Sequence, residues 1–352
     1  MSIDTILLLV ILGLILILPL LIRSIERNLE IFFLLMAVIA ASITNSWSIH
    51  LIEEALKTPV MIHEKIPIGL FQVVLTVGLI FHFLRDKVVN AVEKLISKYS
   101  PRVMFTVLSI CLGLASSFIS AIIASVILAE ILAITPISRR EKLYISVIAC
   151  FSIGLGAALT PVGEPLSTIA IQKLSKPPYN AGFFFLLEHL GIYVIPTVIA
   201  ISLTVLKIIP REIVRVVSEV HIIEKLSTVF WRAIKIYLFI VALVILGKSY
   251  EILVVKYFKY LSPEILYWIG LMSAVLDNAT LTAAFISSEL SLFQIKSFLM
   301  SLLIAGGILV PGNVPNIIVA SRIGITFKEW AKFGIIIGMP LFIIFYIILH
   351  VI

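Results

Sequence analysis

The chain has 352 residues, of which 61% are hydrophobic and only 13% are charged. Soluble domains run near about 45–50% apolar and about 25% charged, so this composition excludes an ordinary water-soluble globule. The net charge of +7 does not point to nucleic acid, because the basic residues fall between apolar blocks, where they would face anionic lipid.

In chain order, apolar runs lie at 3–22, 29–46, 66–84, 103–134, 143–172, 183–207, 229–247, 263–288, 297–321 and 329–351. Most have the roughly 20 residues needed to cross a hydrocarbon core. The predicted fold class is therefore an all-α polytopic membrane protein with the lipid bilayer as its main partner. Met1–Thr5 has no basic residue and the run Ile6–Ile22 exceeds a signal-peptide core, so it is expected to be the first span. Val88–Tyr99, Arg211–Ser227 and Ser249–Leu261 mix charges with apolar residues and are expected to lie at the interface. Cys111 and Cys150 fall inside apolar runs, which predicts packing rather than a disulfide or metal site.

Two runs are not plain spans. Residues 103–134 are too long for one crossing and centre on Ser116-Ser117-Phe118-Ile119-Ser120-Ala121. Residues 263–288 are too short for two and are interrupted at Leu276-Asp277-Asn278-Ala279-Thr280. Both predict re-entrant helical hairpins with a polar tip, tolerated at membrane depth only beside protein or a watery cavity. Two further runs contain breakers: Gly154 to Pro165, with Thr160, Pro161, Gly163 and Glu164, and Gly306 to Asn316, with Pro311, Asn313 and Pro315. Proline removes a backbone donor and clashes with the preceding turn, so each helix should unwind there.

The breaks are related. At an offset of 150, Gly156 matches Gly306, Pro161 matches Pro311, Pro165 matches Pro315 and Ala170 matches Ala320. The order of elements repeats too, which gives four units: N-terminal scaffold helices over 1–65, a first repeat over 66–208, an amphipathic linker over 209–228 and a second repeat over 229–352. Each repeat crosses three times, so the second copy is inverted. Placing the loops at 23–28, 85–102, 135–142, 207–235 and 322–332 on one side gathers 19 of the 27 Lys and Arg residues there. That side is expected to be cytoplasmic, with both termini outside a cell membrane.

Inverted repeats with discontinuous helices describe a secondary transporter whose site lies where the breaks converge. The candidate cation ligands are Asp277, Asn278, Thr280, Asn313 and Asn316 in the second half, and Glu164, Thr160, Ser120 and Ser117 in the first. Carboxylate, amide and carbonyl oxygens suit a hard cation such as Na⁺. An ionised carboxylate at membrane depth is costly unless paired or solvated, so a cation and protons would compete for Glu164 and Asp277. Glu130, ten residues past Ser120, is expected near the cytoplasmic face. Asp277-Asn278 would also serve as a helix N-cap, and Glu164 has the alternative of a water-exposed loop acid.

The stretch Val275-Leu276-Asp277-Asn278-Ala279-Thr280, with Gly306-Gly307 and Pro311-Gly312-Asn313-Val314-Pro315-Asn316, resembles the ion transporter superfamily. It is most similar to NhaD-type sodium/proton antiporters and a related prokaryotic group of candidate cation transporters. The resemblance covers about residues 66–352. It implies a homodimer with a fixed scaffold and a mobile transport part, working by an elevator-like motion, with a sodium site at each hairpin tip and facing break. One such site would hold Ser117, Ser120, Thr160 and Glu164, and the other Asp277, Asn278, Thr280 and Asn313. The first tip lacks an asparagine, a departure from the second.

The expected function is exchange of Na⁺ or Li⁺ for H⁺, with no cofactor beyond the ion. Sodium-coupled symport of a small anion is the alternative, since helix N-termini bind carboxylates. An intramembrane enzyme is disfavoured: the chain has no HExxH motif, and only Asp277 among its three aspartates lies deep in a run.

Overall fold

Polar residues that cap helices set the frame. Ser138 with Glu141, Ser291 with Gln294 and Thr326 with Glu329 each form a reciprocal capping box, in which side chain and backbone satisfy each other's orphan groups. The computed structural model describes residues 3–22, 24–25, 28–60, 100–175, 177–208, 226–257, 261–276 and 278–351, with seven positions between 71 and 83.

The first helices are α1 (Ile3–Leu21), α2 (Leu29–Ile43) and α3 (Ile49–Lys57). The stretch expected to be the first repeat holds α4 (Pro101–Ile119), α5 (Ala121–Ile134), α6 (Arg139–Ala157), α7 (Pro165–Lys173) and α8 (Phe185–Leu203). The long α9 (Leu226–Tyr257) follows. The stretch expected to be the second repeat holds α10 (Pro263–Ile269, prolonged by a 3₁₀ turn Gly270–Ala274), α11 (Asn278–Phe285), α12 (Leu292–Ile308), α13 (Val314–Ile323) and α14 (Phe327–His350). Among the described residues, four helices are long and apolar enough to cross a membrane: Pro101–Ile119, Phe185–Ile208, Ala233–Tyr250 and Phe327–His350. Shorter apolar helices accompany them.

At the centre, α6 packs on α12. Both are buried nearly all round, from Leu143 to Ala157 and from Ile295 to Ile308, as helices without a solvent stripe must be. Helix α6 is flanked by α4 and α8, and α12 by α10 with its 3₁₀ turn and α14. The repeats then exchange arms: α5 packs on α13, and α7 packs on α11. Close approach requires small residues. A Cβ at Gly156 would collide with the Gly113 carbonyl, and one at Gly334 with the Ile308 carbonyl. Gly324, at φ 71°, ends α13 in the left-handed conformation.

Several expectations change. Of the predicted interfacial helix Ser249–Leu261, residues 249–257 are the last nine of α9, which runs unbroken for 32 residues, and not a separate element. Ser249 and Tyr250 are fully buried there, and the Tyr250 hydroxyl donates to Leu8 O at 2.7 Å, fastening α9 to α1. At about 1.5 Å per residue such a helix is longer than the hydrocarbon core is thick. The amphipathic α3 was not anticipated. It is capped by Ser48, with Leu51 and Ala55 buried and Ile49, Ile52 and Leu56 exposed. The linker over 209–225, Val88–Tyr99 and most of 66–84 lie outside the described residues. Helix α9 packs most extensively on α2, where Phe33 and Phe239 lie 4.9 Å apart and Lys235 pairs with Glu30 at 2.9 Å.

Candidate functional site at the crossed helix breaks

The first break occupies residues 158–164. Pro161 and Pro165 cannot donate hydrogen bonds, so the carbonyls they strand need other partners. Side chains provide them: Ser167 Oγ donates to Ala158 O at 3.0 Å and Thr168 Oγ1 to Pro161 O at 2.6 Å. Gly163 lies so close to the Ala157 carbonyl that a Cβ would collide with it. The expected hairpin tip meets this break directly. The Ala121 N–H donates to Gly163 O at 2.8 Å, and the Thr160 hydroxyl donates to Ser117 O.

The turn itself is a single residue. Ser120 ends α4 and begins α5 at φ 75°, ψ 149°, a region essentially reserved for glycine. Its hydroxyl accepts from Ile123 N at 3.5 Å. Helix α4, at 19 residues, has the length of a full crossing, whereas α5 has 14, so the tip is not midway along two equal arms. The Ser117 hydroxyl turns back to Leu114 O at 2.8 Å, leaving its carbonyl to face the break. Glu164 occupies the N-cap position of α7 in extended conformation, but its side chain does not cap that helix. It is only 8% exposed, which rules out the reading of a water-exposed loop acid.

The second break occupies 309–313. Leu309 is extended, Val310–Gly312 form a 3₁₀ turn, and Asn313 holds the N-cap position of α13. Asn316 clamps the break by donating from Nδ2 to Gly306 O and Leu309 O, both at 2.8 Å. Its nitrogen is thereby committed to structure, while its Oδ1 is buried without a hydrogen-bond partner. A Cβ on Gly312 would lie 2.6 Å from Gly306 O and 2.7 Å from Ser273 O, so carbonyls crowd this point.

Asn278, at the start of α11, reaches the same place. Its Oδ1 accepts from the Ser273 hydroxyl, and a Cβ on Gly306 would lie 2.9 Å from its Nδ2. Asn278 and Asn313 are 4% and 7% exposed, and the Nδ2 of each is buried without a hydrogen-bond partner. Asn313 also touches the first repeat, since its amide fills the space that a side chain at Gly154 would occupy. Thr280 lies on α11. Asp277 lies outside the described residues.

The structure thus brings Ser117, Ser120, Thr160 and Glu164 to one break and Asn278, Asn313 and Asn316 to the other. Sequence reading missed Ser273, which no motif marks, and the contact of Gly154 with Asn313. The donors are hydroxyls, amides, carbonyls and a carboxylate. Among the described residues no group of three His, Cys, Asp or Glu side chains could hold a metal. Such oxygens suit a weakly held hard cation rather than a transition metal.

Beyond the breaks, charge collects at the far ends of α5 and α13. Arg322 makes a bidentate pair with Glu130, both bonds 2.9 Å, which buries a carboxylate between the repeats. Arg139 bonds Glu329 at 2.9 Å and Gly324 O at 2.8 Å. The Lys142 ammonium donates to Ala133 O at 3.1 Å, and burial, then the neighbouring Arg322, lowers its pKa.

These helices define an all-α polytopic membrane protein. Residues 5–352 match the family described as "Protein of unknown function (DUF1646)", and the chain belongs to it. No match was found among curated proteins.

Proposed function

We propose that the protein is a secondary active transporter that exchanges Na⁺ or Li⁺ for H⁺ across the cell membrane by alternating access. The observation that carries this reading is Glu164: a carboxylate buried at a helix break where hydroxyls and backbone carbonyls also gather, on one of two broken helices that pack together. A carboxylate held at membrane depth is costly to ionise, so it can accept a proton or a cation in exchange for one another. Competition between the two is the coupling step. Asp277, Asn278 and Asn313 would complete a second cation site, with Thr280 beside it. In this reading the transport part moves against a scaffold built on α2 and α9, in a homodimer with both termini outside.

The test uses purified protein in liposomes that contain a trapped pH dye. Na⁺, Li⁺ or K⁺ is added outside, and wild type is compared with Glu164→Gln and Asp277→Asn. A pH change driven by Na⁺ or Li⁺ and lost in either variant supports antiport. A silent dye with every cation rejects it.

One observation favours a second reading, sodium-coupled symport of a small anion. The two bare Nδ2 groups of Asn278 and Asn313 stand at the beginnings of α11 and α13, where helix dipoles favour negative charge. Turned over, the same amides would offer oxygen to a cation, because the Ser273 hydroxyl can accept as well as donate. Sodium-dependent uptake of a labelled carboxylate with no dye response would select the symporter.

A further inference from the structure

A third titratable cluster lies apart from both breaks, where α10, α12 and α14 meet. His350 ends α14 with its side chain 2% exposed. Its Nε2 lies 2.8 Å from Ser297 Oγ on α12, and its Nδ1 faces Glu264 Oε1 on α10 at 3.8 Å. Ser297 Oγ also donates to Pro263 O at 3.1 Å. A hydroxyl has one proton and a carbonyl can only accept, so satisfying both contacts requires His350 to carry its hydrogen on Nε2. Nδ1 is then a bare lone pair, buried and without a hydrogen-bond partner, aimed at a carboxylate that also only accepts. Two acceptors face each other across a gap that one proton would close.

We propose that His350 and Glu264 form a proton-binding site that ties α14 to α10. Burial alone disfavours a charged ring, and its neighbours offset that cost. Tyr346 stacks on it at 4.9 Å, with Tyr267 and Phe293 at 5.5 and 5.1 Å, and aromatic faces attract cations. Glu264, Tyr267 and Tyr346 are the titratable groups that face it. The site is distinct from the transport reading and survives its failure. Because α10 leads through its 3₁₀ turn toward Asn278, proton uptake here stiffens the first arm of the second hairpin.

The sign follows from linkage: the Glu264–imidazolium contact stabilises the fold when His350 is protonated and is lost as pH rises. Thermal unfolding of the purified full chain is measured for wild type and Glu264→Gln. The Tm gap is expected to be wider near pH 5.5 than near pH 8.5, by about 2 °C, and the widening to vanish in a His350→Gln background. An equal gap at both pH values overturns the proposal. If His350→Gln does not fold, ¹⁵N NMR of wild-type imidazole at neutral pH reads the tautomer directly. Hydrogen on Nε2, with Nδ1 bare or protonated as well, supports the site, and a neutral ring with hydrogen on Nδ1 alone overturns it.

Discussion

The two breaks share a geometry and differ in chemistry. Each follows a central helix, each contains a proline-glycine pair, and each resumes from an extended, buried cap residue, Glu164 in one and Asn313 in the other. At the first break hydroxyls have claimed the stray carbonyls, through Thr160, Ser167 and Thr168. At the second, Asn316 claims two, while the amides of Asn278 and Asn313 keep a nitrogen without a partner. Among the described residues, then, the first bend carries an acid and the second carries neutral amides, with Asp277 outside them. Matched backbone does not make the two bends chemically equivalent.

Substitutions sort by how hard they strike that difference. Gly156→Leu should have the largest effect, because its side chain would enter the Gly113 backbone. Loss of folded, monodisperse protein on size exclusion is expected, and normal yield would show that α4 and α6 can separate. Glu164→Gln should abolish proton coupling while preserving Tm, so that the dye response falls at least about tenfold, equivalent to about 1.4 kcal/mol. Gln has nearly the same size and shape as Glu, so a large drop in Tm would mean that the acid serves structure instead.

Arg322→Met should cost about 3 kcal/mol in unfolding free energy, since it strands the buried Glu130 carboxylate. Glu130→Leu with Arg322→Met should restore most of it, and a double variant as weak as the single would show that the pair is not the cause. Asn313→Ala should lower apparent Na⁺ affinity with little change in the proton response at saturating Na⁺, which isothermal calorimetry and the dye assay together would read. Ser120→Gly should be the mildest. Relief of its backbone strain is expected to stabilise the fold by about 1 kcal/mol, and a loss of stability would mean that its hydroxyl bond to Ile123 matters more.

Much of this was legible in the sequence because bilayer physics writes in long words. Apolar runs, prolines at 161, 165, 311 and 315, and the paired glycines located the spans and both breaks. Glu164 and Asn313 stood out as polar residues in apolar surroundings. The rest depends on contacts between distant parts of the chain. Glu130 meets Arg322 from 192 residues away, and each alone looks like a surface charge. Tyr250 lies in a stretch that reads as amphipathic, yet its hydroxyl is buried against Leu8 O, 242 residues distant. Ser273 is an ordinary serine until α11 folds back beside it. Helix α3 is short and half polar, so it carries no spanning signal.

The capping boxes have one more consequence. Helices α6 and α12 each begin in a reciprocal lock, at Ser138 and Ser291, and each ends at a break. Mechanically they are cantilevers, clamped at one end and loaded at the tip. An ion seated at the tips would push on beams whose roots are held, so the deflection collects at residues 158–164 and 309–313. Softening a root, for example with Ser138→Ala and Ser291→Ala together, would let the load leak away from the site without touching a single ligand.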